Sequence, residues 1–495
     1  MEEIIVNVWQ MVLPPLENRI GIAFALLKTI SVFTTLLLAV YVRIKHPKLS
    51  FHWKVLLAII GISFTIYISF GIYLRFPWQK DGEDESLKWF MIFDAMSGGS
   101  AVHLPALILD YLFLATEEDL DVRGADEYRK YQADKHLKKE TSNENLLERP
   151  DYFPGTSNPC IKELAVSPRG LGFHKGLNQK GIVQYEGGYA ALIAVEKLES
   201  SQLEVAQVIK KDILFKILKV FLMCFLAGDF LAWVFSGYLA RGDLLLKPTI
   251  ATYYVVALVG CSVVARLQAL YALFYLLALL YTEPTRIPIT VSRWEPLLFA
   301  QPHLSTSMQQ MWGKHWHSII RRPMTVLFMR PAKQFCEHLN VPTKIGRAIG
   351  IILSFLFSGL MHEAILETSL PHIAHLKQLP YGESTLRTMG YGWGAKKYAT
   401  TRFFVNCGLV ILLEDIWCSY IEPKLAKVFT SKSKEQLIIG KARNVLGWLW
   451  CMSWMVVFAV ELVDVWHQHG LLQGIIAPIL FRFIPSLPLF GQTFI

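Results

Sequence analysis

Val55 to Leu74 is a run of twenty residues without a single charged side chain. As a helix rising ~1.5 Å per residue, such a run matches the ~30 Å apolar core of a bilayer. A soluble fold offers no comparable place for it. Gly21 to Val42, Ile217 to Leu239, Thr249 to Tyr281, Ile345 to Leu366, Phe403 to Tyr420 and Leu446 to Val463 have the same character. Two further stretches are more polar: Trp89 to Ala115 holds Asp94, His103 and Asp110, and Leu471 to Phe490 holds Arg482 and three prolines. Together they predict an all-α, polytopic transmembrane bundle of about nine spans. Thr249 to Tyr281 is too long for one perpendicular crossing and contains Arg266, so it reads as a steep helix or a broken one. Composition agrees. Hydrophobic residues make up 53% and charged ones only 18%, against about a quarter charged in soluble domains. This argues against a cytosolic enzyme, a disordered chain and a soluble nucleic-acid binder, and no nucleic-acid partner is expected.

Charge asymmetry suggests an orientation. The first connection carries Arg43, Lys45, Lys48 and Lys54 without an acid, and the second, QKDGEDESLK, is acidic. The stretch 282–344 has eight Lys/Arg against three acids, and 423–445 has six against Glu435 alone. Nine spans put all three basic stretches in the cytosol and the N-terminus in the lumen. The acidic start, MEEIIVN, lacks the basic region of a cleavable signal peptide. The chain divides into N-terminal transmembrane helices (1–115), a long polar cytosolic insertion (116–212) and a transmembrane core (213–495). The insertion is rich in turn residues and reads as an irregular loop with short helices. The seven cysteines are scattered without a C-x-x-C pair. That argues against zinc ribbons and a disulfide framework, and most of them read as small buried hydrophobes.

Ionisable residues inside apolar spans are the natural functional candidates. Ile345 to Leu366 reads IGRAIGIILSFLFSGLMHEAIL. Helical periodicity puts Ser358 and His362 on one face, one turn apart, and Gly359 lets a helix or a substrate approach closely. His362 reads either as a proton acceptor or as an interfacial histidine bonded to a neighbouring helix. Upstream, the basic stretch contains MWGKHWHSIIRRP, residues 311–323. Read as one helix, it puts Trp312 and Trp316 on one face, Gly313 and His317 on the next stripe, and Arg321 a turn beyond. Lys314 and Arg322 add positive charge. Such a helix offers a histidine to a cavity and cations to an anion, or it anchors in acidic membrane lipid through the same groups.

WGKHWH followed by RRP, with FSGLMHE on a later apolar helix, resembles the wax-synthase-domain branch of the membrane-bound O-acyltransferases. Trp294 to Phe299 and Ser305 to Gln310 resemble that branch's entry into the first motif. The match covers roughly residues 290–370. The resemblance implies that His362 is the general base. His317 stands where wider relatives have asparagine, and its role stays open between orienting the thioester, donating to an oxyanion and holding the helix. Glu363 follows the family's histidine–glutamate pair, but adjacent helix positions point ~100° apart, so it is expected to be structural or lining. The resemblance further implies acyl-CoA, chiefly acetyl-CoA, as co-substrate, no metal, and a hydrophobic alcohol as acceptor. It points to fungal terpenoid or meroterpenoid acetylation at the endoplasmic reticulum.

Acyl transfer to an alcohol needs a base for the hydroxyl proton and a donor for the thioester oxyanion. His362 supplies the first. His317, Ser358 or a backbone N–H supplies the second. Lys314, Arg321 and Arg322 are the expected contacts for CoA phosphates, and Ser358, Trp312 and Trp316 the expected lining. Long-chain wax-ester synthesis is the alternative within this chemistry. A di-iron hydroxylase would need H-x-x-H-H boxes, and a zincin H-E-x-x-H; neither occurs. A transporter remains the alternative of another class, with Asp94, Asp110, Asp229, Arg266, Glu414 and Asp415 lining a path or pairing across helices.

Overall fold

A computed structural model describes residues 49–71, 91–114, 200–239, 250–281, 301–316, 320–376, 398–421 and 433–468, with a few shorter stretches beside them. Among these residues seven helices are long and apolar enough to cross a membrane. Helix α1 is Phe51–Gly71. Helix α2, Met91–Leu109, runs into a π turn at Asp110–Leu114. Helices α3 (Ser200–Leu239) and α4 (Ile250–Tyr281) follow. The short α5 (Arg330–His338) leads into α6 (Thr343–Leu376), and α7 (Ala399–Ile416) and α8 (Ser433–Gln468) complete the set. A two-residue parallel bridge, Ile20–Gly21 with Leu74–Arg75, is the one strand pairing among the described residues. The protein is a polytopic helical bundle.

Each of the seven corresponds to a span expected from hydropathy. The other two expected spans, Gly21 to Val42 and Leu471 to Phe490, lie largely outside the described residues. Within the long apolar run, Ile250–Tyr281 is a single unbroken helix. The insertion also lies largely outside the described residues, except that its end, from Ser200 onward, forms the first turns of α3. Large apolar side chains such as Ile59, Ile60, Met223, Leu280 and Leu413 face outward, as required of surfaces that meet lipid. The cysteines divide: Cys336, Cys407 and Cys451 are buried, whereas Cys261 and Cys418 are exposed.

Helices α3 and α4 form an antiparallel pair locked by polar groups. Arg266 donates to Asp229 at 2.9 Å, and Ser262 donates to the carbonyl of Gly228 at 2.9 Å. Asp229 is fully buried and accepts a second bond from the Leu480 N–H at 2.8 Å. Two of the charges that a transporter would aim into a path are thus paired across helices. Asp415 likewise holds Arg347 at 3.0 Å.

Helix α6 is the centre of the second half. It runs antiparallel to α7, with contacts from Arg347–Asp415 at one end to Glu363–Thr401 at the other. Helix α7 in turn runs antiparallel to α8, from Arg402–Glu461 to Glu414–Trp450. Small residues bring these backbones together. A Cβ on Gly350 would lie 2.9 Å from the Cα of Met329, which seats the π turn Met324–Met329 directly on α6. On the α2 side, Gly98 abuts the Ala364 carbonyl so closely that no side chain fits.

Candidate active site

The residues of α6 that line a cavity among the described residues are Arg347, Ile351, Ser354, Phe355, Ser358 and His362. At 100° per residue these fall within about a quarter of the helix circumference. They form one stripe, with a cation near its start and the imidazole at its end. Fifteen residues separate the two, or about 22 Å along the axis. The cavity has a volume of about 330 Å³. Its other walls come from Trp312, Trp316, Arg321, Met324, Thr325 and, on α7, Phe404 and Ile411. The Arg347 end lies on the side of the two basic stretches, 282–344 and 423–445.

The His362 ring is fixed at one nitrogen. Nδ1 lies 2.7 Å from the main-chain carbonyl of Ser358. A carbonyl only accepts, so Nδ1 carries the hydrogen and Nε2 keeps its lone pair. The ring packs against Phe404, centroids 4.4 Å apart at 31°, and nearly parallel to Trp466 at 6.2 Å. Ser358 Oγ lines the same cavity one turn earlier and makes no hydrogen bond to any described residue. Glu363 is turned elsewhere: its carboxylate accepts from the Thr401 N–H at 3.1 Å and the Thr401 hydroxyl at 3.4 Å. As adjacency on a helix requires, it braces α6 against α7 rather than pairing with His362.

The upstream motif is not one continuous helix. A short α turn, Met308–Gln310, becomes a π turn at Met311–His315, and Trp316 is extended. The Trp316 N–H closes back on the Met311 carbonyl at 2.7 Å, and Ser305 Oγ holds His315 Nδ1 at 2.8 Å. The chain turns helical again at Arg321–Pro323. The expected run of stripes through His317 to Arg321 is therefore broken at Trp316. Burial, Lys314 and His303 all disfavour charge on the His315 ring and lower its pKa.

The start of this segment is tied down from both sides. Ser307 caps the Gln310 N–H at 3.0 Å, and the Gln310 side chain reaches back to Thr306 N–H at 2.9 Å. This is close to a capping box. From α7, Glu414 accepts from the Met308 N–H at 2.7 Å and the Gln309 N–H at 2.9 Å, and from Trp450 Nε1 at 3.1 Å. A carboxylate at the first N–H groups also suits the positive end of the helical turn. The segment thus delivers Trp312 and Trp316 into the cavity wall. Their rings lie 5.1 Å apart, and Trp312 packs edge-on to Phe355 at 5.6 Å. Both tryptophans are half-buried and line the cavity.

Of the expected phosphate contacts, Arg321 lines the cavity, while Lys314 is exposed and lies outside its lining. The side chain of Arg322, and His317 altogether, lie outside the described residues. Arg347, Phe404 and Ser354 escaped the sequence reading. Arg347 and Ser354 carry a usable signal, since both share the helical face of His362. Phe404 carries none, because α7 meets that face only in the fold.

Residues 294–376 match the Membrane bound O-acyl transferase family, in agreement with the resemblance read from the motifs. Parts of the chain also align with plant and fungal proteins. A probable long-chain-alcohol O-fatty-acyltransferase 7 of Arabidopsis thaliana is 29% identical over 67 residues, 14% of this chain and 20% of the relative. A probable long-chain-alcohol O-fatty-acyltransferase 2 of the same plant is 34% identical over 73 residues, with the same coverage. An acetyltransferase of Arthrobotrys oligospora is 25% identical over 172 residues, 33% of this chain and 32% of the relative. The chain thus spans about a fifth of the length of the plant relatives it matches and about a third of the fungal one.

Proposed function

We propose that the chain is an acyl-CoA-dependent O-acyltransferase of the endoplasmic reticulum membrane that esterifies a hydrophobic alcohol. One observation carries the reading. The matched segment supplies an imidazole with an available nitrogen, at the inner end of a cavity that begins among cations.

In this reading the acyl-CoA enters from the Arg347 and Arg321 end. Guanidinium forks suit its phosphates, and Arg322 and Lys314 stay in the proposal as further candidate phosphate contacts. The pantetheine arm follows the α6 stripe toward His362. The acceptor hydroxyl donates to His362 Nε2. As its oxygen bonds to the thioester carbon, its proton passes to Nε2, and the carbonyl becomes an oxyanion. The Ser358 hydroxyl, uncommitted within the described residues, donates to that oxyanion. The C–S bond then breaks, and the departing thiolate takes the proton from Nε2. The hydrogen bond from Nδ1 to the Ser358 carbonyl stabilises the imidazolium during the step. His317 remains in the proposal as a second donor or a positioning group. No residue needs to form an acyl-enzyme.

Transfer of acetyl to a terpenoid or meroterpenoid alcohol in fungal secondary metabolism is the preferred assignment. It draws support from the likeness to the fungal acetyltransferase, which extends over a third of the chain. Wax-ester synthesis, supported by the plant relatives, is the second reading. Microsomes expressing the chain, given labelled acetyl-CoA or palmitoyl-CoA with panels of terpenoid and fatty alcohols, separate the two. Acetyl esters of terpenoids alone support the first; palmitoyl esters of fatty alcohols support the second.

A further inference from the structure

We propose that the ring of Phe404 stabilises the positive charge that His362 acquires when it takes the hydroxyl proton, a role that histidine–aspartate sites give to a carboxylate. The inference rests on the acyl-transfer reading and adds to it a residue of α7, outside the matched segment 294–376.

Between accepting the proton at Nε2 and passing it to the departing thiolate, the His362 ring is an imidazolium. Among the described residues, no Asp or Glu lines the cavity beside it. The adjacent carboxylate, Glu363, is turned to Thr401. The Ser358 carbonyl meets Nδ1 and supplies a dipole but no charge. Aromatic rings supply the rest. Phe404 meets the imidazole with centroids 4.4 Å apart and planes 31° from parallel, which is a contact of faces and not of an edge. Trp466 is closer to parallel but lies 6.2 Å away. An aromatic face is the negative side of the ring quadrupole, and it attracts a cation within about 6 Å of its centroid. The attraction weakens steeply with distance, so Phe404 carries most of it.

The face is in place before any charge forms. Phe404 is buried, with Phe403 edge-on to it at 5.0 Å and Trp312 at 5.6 Å. Such a fixed partner needs no rearrangement at the moment of proton transfer, and it is worth most where water is excluded. Packing alone would also put a ring here. The two roles ask different things of it: packing needs the shape of the ring, and charge stabilisation needs the electron density of its face.

The test removes the density and keeps the shape. The full chain is made with mono-, di- and trifluorinated phenylalanine in place of Phe404 by nonsense suppression. Microsomes carrying each form are given labelled acetyl-CoA or palmitoyl-CoA with the panel of terpenoid and fatty alcohols. Each fluorine withdraws charge from the ring face with little change in size. On the substrate pair that the wild type uses best, kcat should fall stepwise with fluorine number, to about a tenfold loss for the trifluorinated ring, while KM for donor and acceptor stays within about twofold. Phe404→Leu, which keeps bulk without a face, should lose kcat by a similar factor; the fluorinated series decides the matter if that variant does not fold. A kcat that stays level along the series overturns the proposal and leaves acyl transfer standing. So does a KM that rises while kcat holds, because Phe404 would then act only as a wall of the substrate site. Wild-type protein that esterifies no alcohol of the panel removes the acyl-transfer reading and the proposal with it.

Discussion

Gly359 and Thr401 face each other so closely that a Cβ on the glycine would lie 2.7 Å from the Thr401 Cα and 3.1 Å from its Cβ. One residue earlier, Ser358 presents its carbonyl to His362; four residues later, Glu363 grips the Thr401 N–H. The hydrogen bond that sets the imidazole and the contact that sets the spacing of α6 and α7 therefore share two turns of helix.

Gly359→Ala should push the two helices apart. The neighbour is backbone and cannot rotate away, so a loss of about 1–3 kcal/mol is expected, as for an overpacked core. Because Phe404 moves with α7, turnover should fall with stability. Thermal unfolding in detergent and ester formation in microsomes measure the two; a variant as stable and active as wild type rules the contact out as a determinant.

Glu414 holds the first N–H groups of the motif segment from a different helix. Glu414→Ala leaves these donors and the Trp450 indole without their acceptor, at a cost of about 1–3 kcal/mol. The predicted result is local. Hydrogen exchange should rise several-fold over 308–316 and stay unchanged over 403–411 on α7. Equal acceleration of both segments would mean that the carboxylate supports the fold at large.

Arg321 and Arg347 stand at the outer part of the cavity, the latter held by Asp415 across a half-exposed ion pair. Such a pair contributes little to stability and can be exchanged for a phosphate. Arg347→Ala, and the double replacement of Arg321 and Arg322 by Ala, should raise KM for acyl-CoA about tenfold and KM for the alcohol far less. An unchanged dependence on acyl-CoA would return these cations to a role in anchoring at the membrane.

Much of this architecture is legible in the chain. Hydropathy locates seven helices, because a bilayer demands unbroken apolar runs, but not their more polar extensions: α3 already begins at Ser200, α6 runs on to Leu376 and α8 begins at Ser433. Helical periodicity puts Ser358 and His362 on one face, and the structure opens a cavity there. What periodicity cannot report is which partner occupies the neighbouring space. Gly359 signalled a close approach by a helix or a substrate; only the fold shows that α7 takes it. The break at Trp316 was illegible for a related reason. It arises from the Ser305–His315 bond and from Glu414, which lies on α7. Phe404 and Trp466 carry no motif and meet His362 only because α6, α7 and α8 alternate in direction.

The most direct measurement is made on His362 itself. His362→Gln keeps a polar side chain but lacks a basic nitrogen, and His362→Ala removes the ring. In microsomes given labelled acetyl-CoA and a panel of terpenoid alcohols, both variants should lose about 10²–10⁴-fold in turnover, with membrane insertion and helix content preserved. Turnover near the wild-type level in either variant would show that another group takes the hydroxyl proton, and the mechanism built on this ring would be wrong.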